Sequence, residues 1–317
     1  MAMHLTRHVP SDSARLGERV LEAARAVILG KDHELRLALA CLMARGHLLI
    51  EDVPGVGKTT LAHLLARLLG LEYARIQFTS DLLPADVIGV SVYDRVAESF
   101  RFHPGPVFSQ LVLADEINRA TPKAQSALLE AMEERQVTVE GETRPLPEPF
   151  FVIATQNPLF QVGTFPLPES QLDRFLMRIR LGYPAAEQEK ALLAGEDRRT
   201  MVARQQPALT GGQLMALQQQ VVAVHAAPAI IEYVHAILAL TRSSERFLHG
   251  LSPRAGLGLL RAAKAWALLA DRDYVIPEDI QAVLPSCVVH RLAASEYGGR
   301  LDEEAVVSAI LDRVALA

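Results

Sequence analysis

Val53-Pro-Gly-Val-Gly-Lys-Thr-Thr60 lies between an apolar run, His47-Leu-Leu-Ile50, and a helical pattern with leucines at 61, 64, 65 and 68. Strand, glycine turn and a helix beginning at Lys58-Thr59 make a phosphate cradle. In the loop Pro54-Gly55-Val56-Gly57, where Pro54 sets the turn, the backbone N–H groups of Gly55, Val56 and Gly57 and the helix N-terminus face the anion, joined by Thr60 in the first turn. Lys58 reaches the β- and γ-phosphates, and the Thr59 hydroxyl ligates Mg²⁺. Glycine is wanted at 55 and 57 because the backbone curls around the phosphates with no Cβ in the way. The general pattern asks for glycine five residues before Gly57, and Asp52 stands there instead.

Working outward, the segment from about 47 to 182 alternates apolar runs with helical patterns. Strands are expected at Leu48–Ile50, Tyr73–Phe78, Leu111–Ala114, Phe150–Thr155 and Met177–Leu181, an α/β arrangement with a parallel sheet and helices on both faces. Two helices over 12–45, separated near Gly30-Lys31, precede it. Thr121-Pro122 opens a helix over 121–134, and Arg135–Leu146 alternates around Gly141 as a hairpin does. After Tyr183-Pro184 the patterns are helical only, roughly 187–196, 210–224, 228–242, 253–270, 277–291 and 302–315. The expected division is an α/β nucleotide-binding core over 1–183 and an all-helical lid over 184–317.

The second part of the site is Leu111-Val-Leu-Ala-Asp-Glu116. A buried strand ending in two carboxylates is costly unless a cation waits at its tip. Behind a phosphate loop that cation is Mg²⁺, held by Asp115 through water, while Glu116 polarises the attacking water. A third strand ends at Gln156-Asn157. Asn157 either senses the γ-phosphate and lytic water, because parallel strands deliver their C-terminal ends to one edge, or opens a turn with Pro158. Arg174, in Glu169-Ser-Gln-Leu-Asp-Arg-Phe175, is either a solvated charge or an arginine finger for a neighbouring subunit's nucleotide. Arg254 follows the N-cap and first-turn pair Ser252-Pro253. A cation at that helix end costs about 0.3–1 kcal/mol when exposed, which either a γ-phosphate or a nearby surface acid removes.

Bulk properties narrow the class. The 317 residues carry a net charge of −5 and only 5% aromatics, so the core is built from Leu, Ala and Val. There is no basic footprint for nucleic acid. Cys41 and Cys287 sit in apolar helical patterns without metal-ligand spacing, as buried thiols do in a reducing compartment. Met1–Pro10 lacks a signal-peptide apolar segment, and no run is long enough to span a membrane. The expectation is a cytoplasmic chain.

Glu51–Thr59, Asp115-Glu-Ile-Asn-Arg-Ala120, Gln125-Ser-Ala-Leu-Leu-Glu-Ala-Met132, Ala154-Thr-Gln-Asn-Pro158, Leu167–Phe175 and Ser252-Pro-Arg254 together resemble the MoxR family of AAA+ ATPases, among which Asp-Val-Pro-Gly at the loop is familiar. The resemblance implies ATP and Mg²⁺ as cofactors, Walker A and Walker B motifs in the two stretches above, and adenine packing on Val27-Ile28-Leu29-Gly30. It makes Asn157 the sensor after the third core strand, Arg174 the trans-acting finger and Arg254 the lid sensor. An insert in the second core helix (about 86–107) and a pre-sensor hairpin (about 135–148) would project toward a ring pore. Hexameric homo-oligomers, chaperone-like remodelling of a protein client and a von Willebrand A-type partner are further implications. The competing expectations are a nucleic-acid-stimulated AAA+ motor or loader, and a binding module that nucleotide merely gates.

Overall fold

The computed structural model describes residues 11–157, 164–293 and 302–314. Met1–Pro10, Pro158 and the last residue of the expected 302–315 helix lie outside them. In chain order, helices α1 (Asp12–Arg25) and α2 (Asp32–Met43) precede strand β1 (His47–Glu51), α3 (Lys58–Leu68) and β2 (Tyr73–Gln77). The short α4 (Pro84–Ile88) leads into a hairpin of β3 (Gly89–Asp94) and β4 (Ser99–Pro104). Next come β5 (Leu111–Asp115), α5 (Pro122–Glu134), the hairpin β6 (Gln136–Val139) and β7 (Glu142–Pro145), β8 (Phe151–Gln156), α6 (Glu169–Leu172) and β9 (Phe175–Ile179). Only helices follow among the described residues: α7 (Ala186–Ala194), α8 (Arg198–Arg204), α9 (Gly211–Ala223), α10 (Pro228–Ser243), α11 (Pro253–Leu269), α12 (Pro277–Val288) and α13 (Glu303–Leu311). The helix α8 falls in a charged stretch that the periodicity leaves unassigned. No helix among the described residues is long and apolar enough to cross a membrane.

The central sheet is parallel, in the order β2-β5-β8-β1-β9. Its strands read as unbroken apolar runs because both faces are covered. Leu48, Ile50, Leu111, Leu113, Phe151, Ile153, Met177 and Ile179 pack toward α1–α3 and the C-terminal helices. Their neighbours Leu49, Val112, Ala114, Val152, Ala154 and Phe175 pack toward α4 and α5. The first of these cores runs without a break from the sheet into α9, α11 and α12.

This order places the site. Strand β8 lies between β5 and β1, so the end of β8 falls between the carboxylates after β5 and the glycine loop after β1. Registers pairing Glu51 with Gln156 and Ala114 with Ala154 bring all three strand ends level. The expected insert is the β3–β4 hairpin, flanked by α4 and a 3₁₀ turn at Pro106–Phe108. Cys41 and Cys287 are both free and buried, and burial raises both thiol pKa values, that of Cys287 to about 12.

His47, at the start of β1, ties three elements together. Its Nδ1 accepts the Val152 N–H at 2.9 Å, and Nε2 lies 3.2 Å from the Met132 carbonyl oxygen. Both contacts suit the neutral ring with its proton on Nε2. Burial lowers the His47 pKa from its ordinary 6.5 to about 4, and His290 is shifted in the same direction for the same reason. Between pH 6.5 and 4 the unfolded chain therefore binds protons that the folded one refuses. Stability is full above 6.5 and falls with acidification by about 1.4 kcal/mol per pH unit for each such histidine. His47→Asn, which keeps an acceptor for Val152, makes that slope shallower in denaturant titrations from pH 7.5 to 4. An unchanged slope would contradict the assignment.

Candidate functional site

The loop after β1 has the backbone that the glycines anticipate. Gly55 and Gly57 have φ of +87° and +95°, and a Cβ on either would meet no protein atom within 4 Å. The requirement is therefore conformational, and the space above the loop is open to a ligand. Gly57 is the N-cap of α3 and offers no side chain to the first-turn amides, which an α-helix leaves unpaired. No acid stands in that first turn.

Lys58 is buried, 8% exposed. Its Nζ donates to the Asp52 carbonyl oxygen, to the Val53 carbonyl oxygen at 3.2 Å and to Asn157 Oδ1 at 3.0 Å. Burial lowers its pKa, opposed by the charges of Asp52, Asp115 and Glu116. Asn157 is buried too, and its Nδ2 donates to Glu116 Oε1 at 3.1 Å. One side-chain amide thus links the lysine to the candidate base. The Asn157 side chain therefore lies between the glycine loop and the end of β5, while the expected turn with Pro158 falls outside the described residues.

Asp115 and Glu116 are organised by Thr155. The Thr155 hydroxyl donates to Asp115 Oδ1 at 2.6 Å and accepts the Glu116 N–H at 2.9 Å. Glu116 has φ +56°, a left-handed conformation uncommon outside glycine and characteristic of functional positions. Thr59 Oγ1 and Asp115 Oδ2 are 3.3 Å apart. Two oxygens at that separation fit one Mg²⁺, directly or through a bound water, with the remaining positions left to waters and phosphate oxygens. Among the described residues no cluster of three or more His, Cys, Asp or Glu side chains competes for a metal.

Four features escape the sequence reading. Arg75 on β2 pairs with Asp115, Nη2 to Oδ2 at 2.6 Å and Nε at 3.1 Å, so a guanidinium shares the oxygen that Thr59 approaches. Gln77 donates to Glu116 Oε2 at 3.0 Å. The signal was the alternation Tyr73-Ala-Arg-Ile-Gln77, which puts Arg75 and Gln77 on one face of the edge strand beside β5. Asp52 is a staple: Oδ1 accepts the Val53 N–H at 2.8 Å, and Oδ2 accepts those of Leu181 and Gly182 at 2.7 and 2.6 Å. The loop is thereby tied to the end of β9. That end lies beside Gly30 and Lys31, since Gly30 faces Gln188 and Lys31 Nζ donates to the Tyr183 carbonyl oxygen at 3.1 Å. Ile28 and Val56, both half-buried, pack against the same core.

The fourth feature is Glu133. Arg174 and Arg254 are brought together, and both pair with it, at 2.9 and 2.8 Å. They line a cavity with His47, the first residue of β1, whereas the phosphate loop follows the last, Glu51. The length of β1, about 13 Å at 3.3 Å per residue, separates the two ends. Arg174 and Arg254 therefore lie at the opposite end of β1 from the phosphate loop of their own chain. The reason is the packing of α11 on α2, with Ala255 and Leu259 in the shared core, which sets Ser252-Pro253-Arg254 at the N-terminal edge of the sheet.

Residues 47–177 match the model of the ATPase family associated with various cellular activities (AAA), and residues 239–310 match an AAA lid domain. The chain is 46% identical over 299 residues to the uncharacterized protein YeaC of Bacillus subtilis, covering 93% of each. It is 42% identical to Chaperone MoxR1 of Mycobacterium tuberculosis, covering 94% of this chain and 82% of the relative. It is 35% identical to Protein MoxR of Paracoccus denitrificans, covering 92% of each. A crystal structure of a candidate ATPase from Cytophaga hutchinsonii superposes with a TM-score of 0.86 at 36% identity, covering 96% of both chains.

The staple yields a prediction. Asp52→Gly restores the general loop pattern but strands three N–H groups, and lowers the unfolding free energy by about 2–4 kcal/mol. Asp52→Asn, which keeps one acceptor oxygen, costs less. Chemical denaturation measures both, and a neutral or stabilising glycine would contradict the role.

Proposed function

The chain belongs to the MoxR family of AAA+ ATPases, and from that premise we propose that it hydrolyses ATP with Mg²⁺ at sites shared between subunits of a ring and uses the cycle to remodel a protein client. The observation that carries the reading is the run Lys58–Asn157–Glu116, with Thr59 and Asp115 alongside. The phosphates lie on the loop amides and Lys58, and the adenine packs near Ile28 and Gly30. Mg²⁺, held by Thr59 and Asp115, supplies neutralisation of phosphate charge. Glu116 takes a proton from the attacking water, and Asn157 fixes the Glu116 carboxylate while registering the γ-phosphate through Lys58. The strand-bearing part up to residue 183 acts as the nucleotide-binding core and the part from 184 as the lid.

Each chain then holds half of a catalytic site at each end of its sheet. Arg174 and Arg254 cannot serve the loop of their own chain, so a neighbour's nucleotide is their ligand, and both act in trans. A closed ring, hexameric by family resemblance, satisfies every half-site. The two hairpins are the parts placed to meet the client. Tyr93 and Phe100, 51% and 71% exposed and 5.4 Å apart in an edge-on pair, offer it an apolar contact on β3–β4.

The reading is tested by mixing subunits. Glu116→Gln lowers kcat by about 10²-fold or more with nucleotide binding retained, and Arg174→Ala lowers turnover without altering the loop. Combined, the two recover activity above either alone, because some sites pair an intact Glu116 with an intact Arg174. Full turnover by Arg174→Ala alone, together with no recovery on mixing, would show that the site is not shared.

A further inference from the structure

Two polar side chains beside the site, Asn118 and Gln125, are 0% and 1% exposed, and the chemistry above uses neither. Both act on the turn after β5. Glu116 opens that turn in its left-handed conformation, and the Arg119 N–H closes it on the Glu116 carbonyl oxygen at 2.9 Å. Gln125 Nε2 lies within hydrogen-bond reach of three carbonyl oxygens, those of Ile117 at 3.1 Å, Ala120 at 3.2 Å and Phe165 at 3.1 Å. The Phe165 N–H in turn donates to the Asn118 carbonyl oxygen at 2.6 Å. The shape of the turn is thus set from α5 and from the segment ahead of α6.

The Asn118 side chain does something else. Its Nδ2 donates to the Asn157 carbonyl oxygen at 3.3 Å, while Oδ1 is buried with no hydrogen-bond partner among the described residues. The amide cannot be turned round, because a carbonyl oxygen only accepts and needs an N–H opposite it. An unmet buried acceptor lowers stability, so an apolar side chain of similar volume would suit folding better. What asparagine supplies, and an apolar residue does not, is the bond to Asn157. Two ties therefore join the main chain of the turn to β8 and its end: the Glu116 N–H on Thr155 Oγ1 at 2.9 Å, and Asn118 on Asn157. They accompany the side-chain bond from Asn157 Nδ2 to Glu116 Oε1 at 3.1 Å.

We infer that Asn118 is a positioning residue for Glu116 and Asn157. By tying the Asn157 main chain to the turn, it makes the base and the amide beside it move as one body. Asn157 Oδ1 also accepts from Lys58 at 3.0 Å. With the Asn118 bond in place, a shift of Lys58 on the phosphates reaches Glu116 through an amide of fixed position. Without it, the Asn157 side chain follows Lys58 and leaves the carboxylate behind. The inference rests on the reading of Glu116 as the base.

The test compares the full chain with Asn118→Leu, which removes both the unmet oxygen and the bond to Asn157. The variant melts at the wild-type temperature or above it. It binds a non-hydrolysable ATP analogue with Mg²⁺ as the wild type does, yet its kcat falls about tenfold with KM little changed, since a misplacement of about 1 Å loses up to about 10²-fold in rate. Asn118→Ala, which leaves a void and melts lower, loses kcat to the same extent, so rate and stability part. In an Asn157→Ala background neither change lowers kcat further, because the residue being positioned is gone. Unchanged turnover of Asn118→Leu, a loss that persists in full beside Asn157→Ala, or a loss that runs parallel to melting temperature and nucleotide affinity overturns the proposal. So does failure of both variants to fold, which makes Asn118 a part of the scaffold alone. Glu116→Gln is measured alongside. Full turnover by it overturns the base and this inference together, whereas an inactive Glu116→Gln beside an unimpaired Asn118→Leu overturns the inference alone.

Discussion

Lys58 carries an ammonium into a place nearly closed to water, and the arrangement around it follows from keeping that charge there. A buried cation is tolerated only when hydrogen-bonded and faced by negative charge. Two loop carbonyl oxygens and Asn157 Oδ1 supply the bonds, and Asp52, Asp115 and Glu116 supply the charge. Those residues come from the ends of three adjacent strands, so the sheet order β5-β8-β1 is a condition of the lysine's burial as much as of the chemistry.

The same logic recurs at each charged group of the site. Asp115 is met by Arg75 where a metal would sit, and Arg174 and Arg254 are met by Glu133. Each ligand-binding charge has an internal partner of opposite sign and comparable reach. A nucleotide bound as proposed above would exchange partners and would not create pairs from nothing. Arg75 and Gln77 share one face of β2, so release of the first bears on the second and thence on Glu116. On the far side, Ser252 and Arg291 hold Asp173 and so join the segment carrying Arg174 to the helix carrying Arg254.

Much of this was legible in the residues. The five core strands, the loop glycines, Asp115-Glu116 and the caps Thr121-Pro122 and Ser252-Pro253 follow from local rules, and local rules decide them here. Other parts were not legible because they depend on distant partners. Asp52 looks like a defect in a pattern until the Leu181 and Gly182 amides stand opposite it. Arg75 reads as the polar side of an edge strand, and its partner is forty residues away. The helix α8 has one buried residue, Val202, too little for a periodic signal among charges. Arg254 reads from its cap and proline as the start of a helix, and where that helix end lies is set by the packing of α11 on α2, a tertiary fact.

The central claim is that Lys58 and Asp115 exchange their present partners for a triphosphate and its metal. A structure determined with a non-hydrolysable ATP analogue and Mg²⁺ tests it most directly. The account predicts Lys58 Nζ on the β- and γ-phosphate oxygens, away from the Asp52 and Val53 carbonyl oxygens, with Asp115 released by Arg75. A triphosphate bound elsewhere, with Lys58 still on Asn157 and Arg75 still on Asp115, would contradict it.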